Sequence, residues 1–246
     1  MRVTNWRGYE CIEFELDGKE GLVVLPKVFA EGRPWVWRAE FFDAFDNADM
    51  ALLEKGFCRA YYRQNDRYGC PDAVEGMKKF QSYVTRMFGL AEKAIIAGLS
   101  RGGLYAFNYA AAYPDNVAVL YLDAPVLDIR SWPGGKGEGV GGEREWQECL
   151  TAYGITEEQS ITAQVSPLNK VEAVAAARIP IILVAGDADD VVPYVENGLL
   201  LAERYRELGG TIETIIKKGI GHHPHGLEQP EPIVSFVIRQ CIAPKM

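Results

Sequence analysis

The chain has 246 residues, 48% of them hydrophobic and 24% charged, the composition of a globular protein with room for a large core; disorder and a disulfide-stapled miniature are excluded. Lys and Arg number 26 against 34 Asp and Glu, a net charge of −8, which argues against nucleic acid or an anionic membrane surface as a partner. Five widely spaced cysteines without a C-x-x-C pair, and a start without an apolar run, lead us to expect free thiols in a cytoplasmic protein with no leader or membrane span.

The first predicted elements are antiparallel. YECIEFELDGKEGLVVLP (9–26) reads as two strands turning at Asp17-Gly18, a pair suited to the positive φ of a tight hairpin. A helix is expected over 38–54, where Trp37, Phe41 and Phe45 fall at helical spacing. Strands and helices then alternate: FCRAYY (57–62), a helix over 73–88, AIIAGLS (94–100), a helix over 102–112 and VAVLYLDAP (117–125). Residues 126–167 break the alternation with a glycine-rich run, GGKGEGVGG (134–142), set between Trp132 and Trp146. We read this stretch as a small cap-like insertion, its loop either a flap over a site or plain surface. The alternation resumes with PIILVAG (180–186), a helix over 195–208 stopped by Gly209-Gly210, TIETIIKK (211–218) and a helix over 230–241. This order predicts one α/β domain over 1–246, with a mostly parallel twisted sheet, an antiparallel hairpin at one edge and helices on both faces.

The chemistry concentrates in three places. G-L-S-R-G (98–102) lies where an apolar strand meets an apolar-faced helix, the setting of a nucleophile elbow: Ser100 occupies a strained turn, and Gly98, Gly102 and Gly103 keep side chains out of it. A serine hydroxyl needs an adjacent base, and the base needs a carboxylate to fix its tautomer. Asp187, Asp189 and Asp190 follow the strand at 180–186, at the sheet edge where α/β proteins bind ligands, and Asp123 ends the strand after the elbow helix. His222, His223 and His225, every histidine in the protein, sit in one turn after the last strand. That H-H-x-H run contains a proline and lacks the helical H-E-x-x-H pattern, so no metal is expected.

With its nucleophile, acid and base in that order, the chain resembles the α/β-hydrolase superfamily, in its esterase and lipase-like branch, over nearly its whole length. The resemblance implies Ser100 as nucleophile. Its acid motif, G-x-x-D-x-x-V-P, falls on Gly186 to Pro193 and selects Asp189, with Asp123 as the alternative; its histidine follows a glycine and points to His222, with His223 second. The N–H of Arg101 is expected to form half of the oxyanion hole. The usual H-G or H-G-G-G loop does not follow LVVLP, so the other half is sought over 35–38, at Trp37, while Trp35, Trp132 and His223 are expected to line the substrate pocket. The implied activity is serine esterase action on a small-molecule ester, with short acyl chains and acylated sugars favoured, through an acyl-enzyme and without metal or organic cofactor. An acylaminoacyl or dipeptidyl-type serine peptidase is the close alternative, and a non-catalytic hydrolase-like binding protein is the alternative from another class. The oligomeric state is left open.

Overall fold

The computed structural model describes residues 1–242. Among them, nine strands form one sheet: β1 (Arg2–Trp6), β2 (Tyr9–Leu16), β3 (Lys19–Val24), β4 (Trp35–Arg38), β5 (Cys58–Tyr62), β6 (Ala94–Leu99), β7 (Val117–Asp123), β8 (Ile181–Gly186) and β9 (Ile212–Lys217). Their order is β1-β2-β3-β5-β4-β6-β7-β8-β9. The first three strands turn back at Arg7-Gly8 and Asp17-Gly18, where all four residues have positive φ, the geometry of a two-residue hairpin turn. β3 meets β5 antiparallel, and every pair from β5 to β9 is parallel.

Among the described residues, eight α-helices accompany the sheet: α1 (Asn47–Glu54), α2 (Pro71–Phe88), α3 (Gly102–Ala112), α4 (Glu143–Tyr153), α5 (Glu157–Ser160), α6 (Val171–Ala176), α7 (Gly198–Glu207) and α8 (Glu231–Ile242). Buried strand residues alternate between two cores because successive side chains point to opposite faces. Ala94 and Ile96 of β6 pack with residues of α2, α3, α6 and α7, whereas Ile95, Ala97 and Leu99 pack with α1 and α8. The expected α/β architecture, with its antiparallel edge and two helical layers, is therefore present.

The stretch after the hairpin differs from expectation. Residues 35–38 form β4, a short strand in the middle of the sheet, and the helix begins only at Asn47. Phe41 (φ 57°) and Phe45 (φ 49°) adopt left-handed backbone conformations that a right-handed helix cannot contain. Their helical spacing from Trp37 is thus a coincidence, and both rings are partly exposed.

Within 126–167, Trp146, Cys149 and Leu150 of α4 pack on Tyr68, Leu104, Val126 and Ile129, so this stretch has its own small apolar cluster against the body. The glycine-rich loop is pinned rather than free. Val140 N–H donates to Asp190 O at 3.0 Å and Gly142 N–H to Pro133 O at 2.9 Å. A Cβ at Gly139 would stand 2.8 Å from Pro193, so glycine here permits close apposition to the loop after β8. All five cysteines are free thiols, and no helix among the described residues is long and apolar enough to cross a membrane.

Candidate active site

Ser100 follows β6 directly and starts the turn into α3 with φ 48°, a strained value for a residue with a Cβ. Neighbouring backbone holds the turn: Ser100 N–H donates to Asp123 O at 2.9 Å, and Ser100 O accepts from Gly103 N–H and Val126 N–H, each at 2.9 Å. The glycines around it carry unequal loads. A Cβ on Gly98 would lie 2.7 Å from Gly102 O and one on Gly103 2.7 Å from Pro125 Cβ, but one on Gly102 would meet nothing nearer than 3.6 Å.

The hydroxyl Oγ of Ser100 lies 2.8 Å from His222 Nε2, and His222 Nδ1 lies 2.8 Å from Asp189 Oδ2. The other carboxylate oxygen of Asp189 accepts N–H donors from Val191 (2.9 Å) and Val192 (2.8 Å), which fixes the group at the C-terminal end of β8. His222 and Asp189 are both buried while Ser100 is partly exposed, so the chain of hydrogen bonds runs from interior to surface. The neighbouring aspartates do other things. Asp187 accepts the Gly219 N–H at 2.6 Å, tying the end of β8 to the loop after β9, and Asp190 is exposed.

A second carboxylate–imidazole pair stands beside the first. Asp123 Oδ1 lies 2.7 Å from His225 Nδ1, while its Oδ2 accepts from Gly226 N–H (2.8 Å) and Tyr121 O–H (3.1 Å). Asp123 is therefore near the site but engages His225 rather than His222. His223 is exposed and stacks on Phe45, with ring centroids 5.4 Å apart; burial and the two neighbouring imidazoles hold it below the usual histidine range. One ligand nitrogen from each of the three histidines lies within 4.8 Å of the others.

Trp37 and Trp35 require correction. Both are buried, at 1% and 0% exposure, in the core beneath the sheet, where Trp37 packs on Phe80 and Tyr109 and Trp35 donates its indole N–H to Ala91 O at 2.8 Å. Neither lines a surface pocket. The ladder pairs Trp37 with Ile96, four residues before Ser100 and about 13 Å from it along the strand, too deep for an oxyanion donor. The same register, continued past Arg38↔Ala97 by the Ala39 N–H to Ala97 O bond, brings Glu40 and Phe41 level with the elbow.

That loop is built on buried charge, which sequence reasoning missed. Arg38 and Arg59 share Asp49 Oδ2 (2.8 and 3.2 Å), Arg59 also pairs with Asp46 (2.9 Å) and donates to Phe42 O, and Arg38 reaches Phe45 O at 3.4 Å. Arg101, next to the serine, pairs with buried Glu40 at 2.7 Å and with Asp66 at 2.9 Å while lying over the rings of Phe41 and Tyr68. Burial pushes the Glu40 carboxyl up from 4.5 to about 7, the adjacent guanidinium limiting the rise. A groove of about 630 Å³ is lined by Arg101 and Phe41 together with Trp6, Glu20 and Arg63, but by none of Ser100, His222 and Asp189. Trp132 lies tilted against Tyr68, with ring centroids 6.3 Å apart, and is partly buried with the apolar cluster around α4.

Residues 51–240 match the prolyl oligopeptidase family. No curated protein matches the chain in sequence. Among solved structures, a puromycin-hydrolyzing peptidase of Mycobacterium tuberculosis superposes with a TM-score of 0.73 at 16% identity, covering 94% of this chain and 39% of its own. An acylaminoacyl peptidase of Pyrococcus horikoshii gives 0.71 at 15% identity, with 97% and 43% covered, and a puromycin hydrolase 0.69 at 20%, with 93% and 37% covered. The chain thus spans less than half the length of these structures, and the likeness is one of fold.

Proposed function

The chain belongs to the prolyl oligopeptidase family, within the α/β-hydrolase superfamily, and from that footing we propose that it is a serine hydrolase cleaving an amide bond in a small acylated or peptide-like substrate. The observation that carries this reading is the continuous Ser100–His222–Asp189 hydrogen-bond chain, 2.8 Å at each link, ending on a strained and partly exposed hydroxyl. Amide cleavage is favoured over the ester cleavage expected from the sequence because the similar folds belong to peptidases. An activated ester remains a usable probe, since acylation of the serine is common to both.

In this mechanism His222 Nε2 takes the Ser100 proton as Oγ attacks the carbonyl carbon, and Asp189 stabilises the imidazolium. The developing oxyanion is bound by the N–H of Arg101 and a second N–H from Glu40 or Phe41, in a loop level with the serine. Collapse breaks the C–N bond, His222 returns the proton to the leaving amine, and water then repeats the sequence on the acyl-enzyme. The groove beside Arg101 carries the Glu20–Arg63 pair but is lined by none of Ser100, His222 and Asp189, so the substrate class rests on the triad and the family and not on that groove.

The test is turnover of acylaminoacyl and dipeptidyl p-nitroanilides and of p-nitrophenyl butyrate, with fluorophosphonate labelling, by the protein and its Ser100→Ala variant. Anilide turnover and labelling, both lost in the variant, are expected. Labelling with ester turnover alone returns the reading to an esterase, and absence of any label replaces it with a non-catalytic binding protein.

A further inference from the structure

The buried Asp123–His225 pair has no part in the proposed reaction, yet it lies against the histidine that does. His225 presents one ring nitrogen to Asp123, and His222 presents the same nitrogen, Nδ1, to Asp189. With Nδ1–H donated to a carboxylate in each case, both rings carry their lone pair on Nε2. This is how metal-ligating histidines are held: the second ring nitrogen bonds a carboxylate that fixes tautomer and orientation and raises ligand basicity. Among the described residues, His225 Nε2 has no hydrogen-bond partner, His222 Nε2 has only Ser100 Oγ, and neither nitrogen of His223 has one.

The rings are also mutually close and steeply inclined to one another. Their centroids are 4.9 Å (222–223), 4.8 Å (222–225) and 4.9 Å (223–225) apart, and their planes cross at 70°, 81° and 87°. Three imidazoles on a tetrahedral ion, each nitrogen about 2.0–2.1 Å from it, place their centroids about 5 Å apart and their nitrogens about 3.3 Å apart. The ring spacing already satisfies this. One nitrogen from each ring already lies within 4.8 Å of the others, so closing on an ion needs a convergence of about 1.5 Å at most, shared between rotation of exposed His223 and small shifts of the two carboxylate-held rings.

We propose that His222, His223 and His225 form an inhibitory site for a borderline-soft divalent cation of the Zn²⁺ type, which on binding occupies His222 Nε2 and disconnects Ser100 from its base. The inhibitory part rests on the functional reading given above; the metal site itself does not. The H-H-x-H spacing alone does not announce it, because the two carboxylates that orient the ligands come from elsewhere in the chain, the end of β7 and the loop after β8.

The test uses the full chain stripped with a chelator, then titrated with ZnCl₂ by calorimetry and with Co²⁺ by visible absorption, alongside the rate of fluorophosphonate labelling. One equivalent of Zn²⁺ should bind with micromolar affinity, Co²⁺ should give the intense d–d bands of a four-coordinate nitrogen-rich site, and labelling should slow at least about 10-fold and recover on chelation. His223→Ala, an exposed change that leaves the fold intact, and His225→Gln should each weaken binding about 10-fold or more. Absence of a saturable site, or equal affinity in wild type and the well-folded His223→Ala variant, overturns the proposal. If the zinc-free protein takes no label, the hydrolase reading fails, and calorimetry with the cobalt spectrum still decides the metal site.

Discussion

Gly186, the last residue of β8, is where the histidine loop crosses the sheet. A Cβ added there would stand 2.1 Å from Ile220 O and 2.6 Å from Gly221 O, both backbone atoms, while Ile220 O is itself held by the Ala188 N–H at 3.1 Å. A carbon–oxygen contact of about 3.3 Å requires the loop to retreat by about 1.2 Å. His222 lies one residue beyond Gly221, and its 2.8 Å bonds to Ser100 and Asp189 would open to about 4 Å, past any useful hydrogen bond. Gly186→Ala should therefore slow fluorophosphonate labelling of Ser100 about 100-fold. Overpacking should also cost about 1–3 kcal/mol, seen as a melting temperature lower by about 2–12 °C. Gly221→Ala is the control, because its Cβ would meet nothing closer than Ala188 O at 3.5 Å. Labelling within twofold of wild type in Gly186→Ala, or equal damage from the two substitutions, refutes the argument that backbone apposition at β8 sets the position of the histidine.

Asp189→Asn should lower amide turnover by about 10⁴-fold with little change in stability, because it reverses the donor that fixes the His222 tautomer; Asp123→Asn should chiefly destabilise, and equal turnover losses would make the two carboxylates a single unit. Asp49→Ala leaves Arg38 and Arg59 buried without their shared partner, so urea denaturation should report a loss of about 3–5 kcal/mol, and a loss under about 1 kcal/mol would show the network to be dispensable. Glu40 keeps its proton up to about pH 7 in the folded chain but releases it near 4.5 when unfolded, so the folded state holds more protons across that window. Stability should accordingly fall as pH rises from about 4.5 to 7, by at most about 1.4 kcal/mol per unit, and level off above; Glu40→Gln should flatten that slope, and an unchanged slope would place its origin elsewhere.

The parts of the fold legible in the sequence were those whose signal is local. Asp17-Gly18 announces its own turn, and the runs at 94–100, 117–125 and 180–186 are long and apolar enough to read as buried strands, ending within two residues of β6, β7 and β8. β4 was hidden because four residues, Trp35 to Arg38, are too few to show a period, and the aromatic residues on either side of its end mimic a helical stripe. Its central place also buries Arg38, a residue type that reads as surface until its partner, Asp49 of α1, is brought beneath it by the chain reversal at 39–46. For the site, the Gly-flanked serine and the histidine run carry their meaning in sequence, whereas Glu40 carries none: only the register of β4 on β6 sets it against Arg101. Asp189 was chosen over Asp123 by the G-x-x-D-x-x-V-P motif and not by strand position, since Asp123 ends β7 and Asp189 follows β8 by three residues at the same edge of the sheet.

The two aspartates divide the work because β7 and β8 are neighbours, with Asp123 opposite Val184, and the loop after β9 passes over the ends of both. Its histidines at 222 and 225 are far enough apart to reach one carboxylate each. Lys217 Nζ donates to the carbonyls of Pro224 (2.5 Å) and Gly226 (3.3 Å), so this glycine- and proline-rich loop is closed by polar anchors where apolar packing is scarce. Asp123 joins the two halves of the site. Its carbonyl accepts the Ser100 N–H at 2.9 Å and so helps hold the strained elbow, while its carboxylate fixes His225 and Gly226 three and four residues past His222. A displacement of the β7 end would move serine and histidine loop together, and their 2.8 Å separation is thereby referred to one residue of the central sheet rather than to two independent loops.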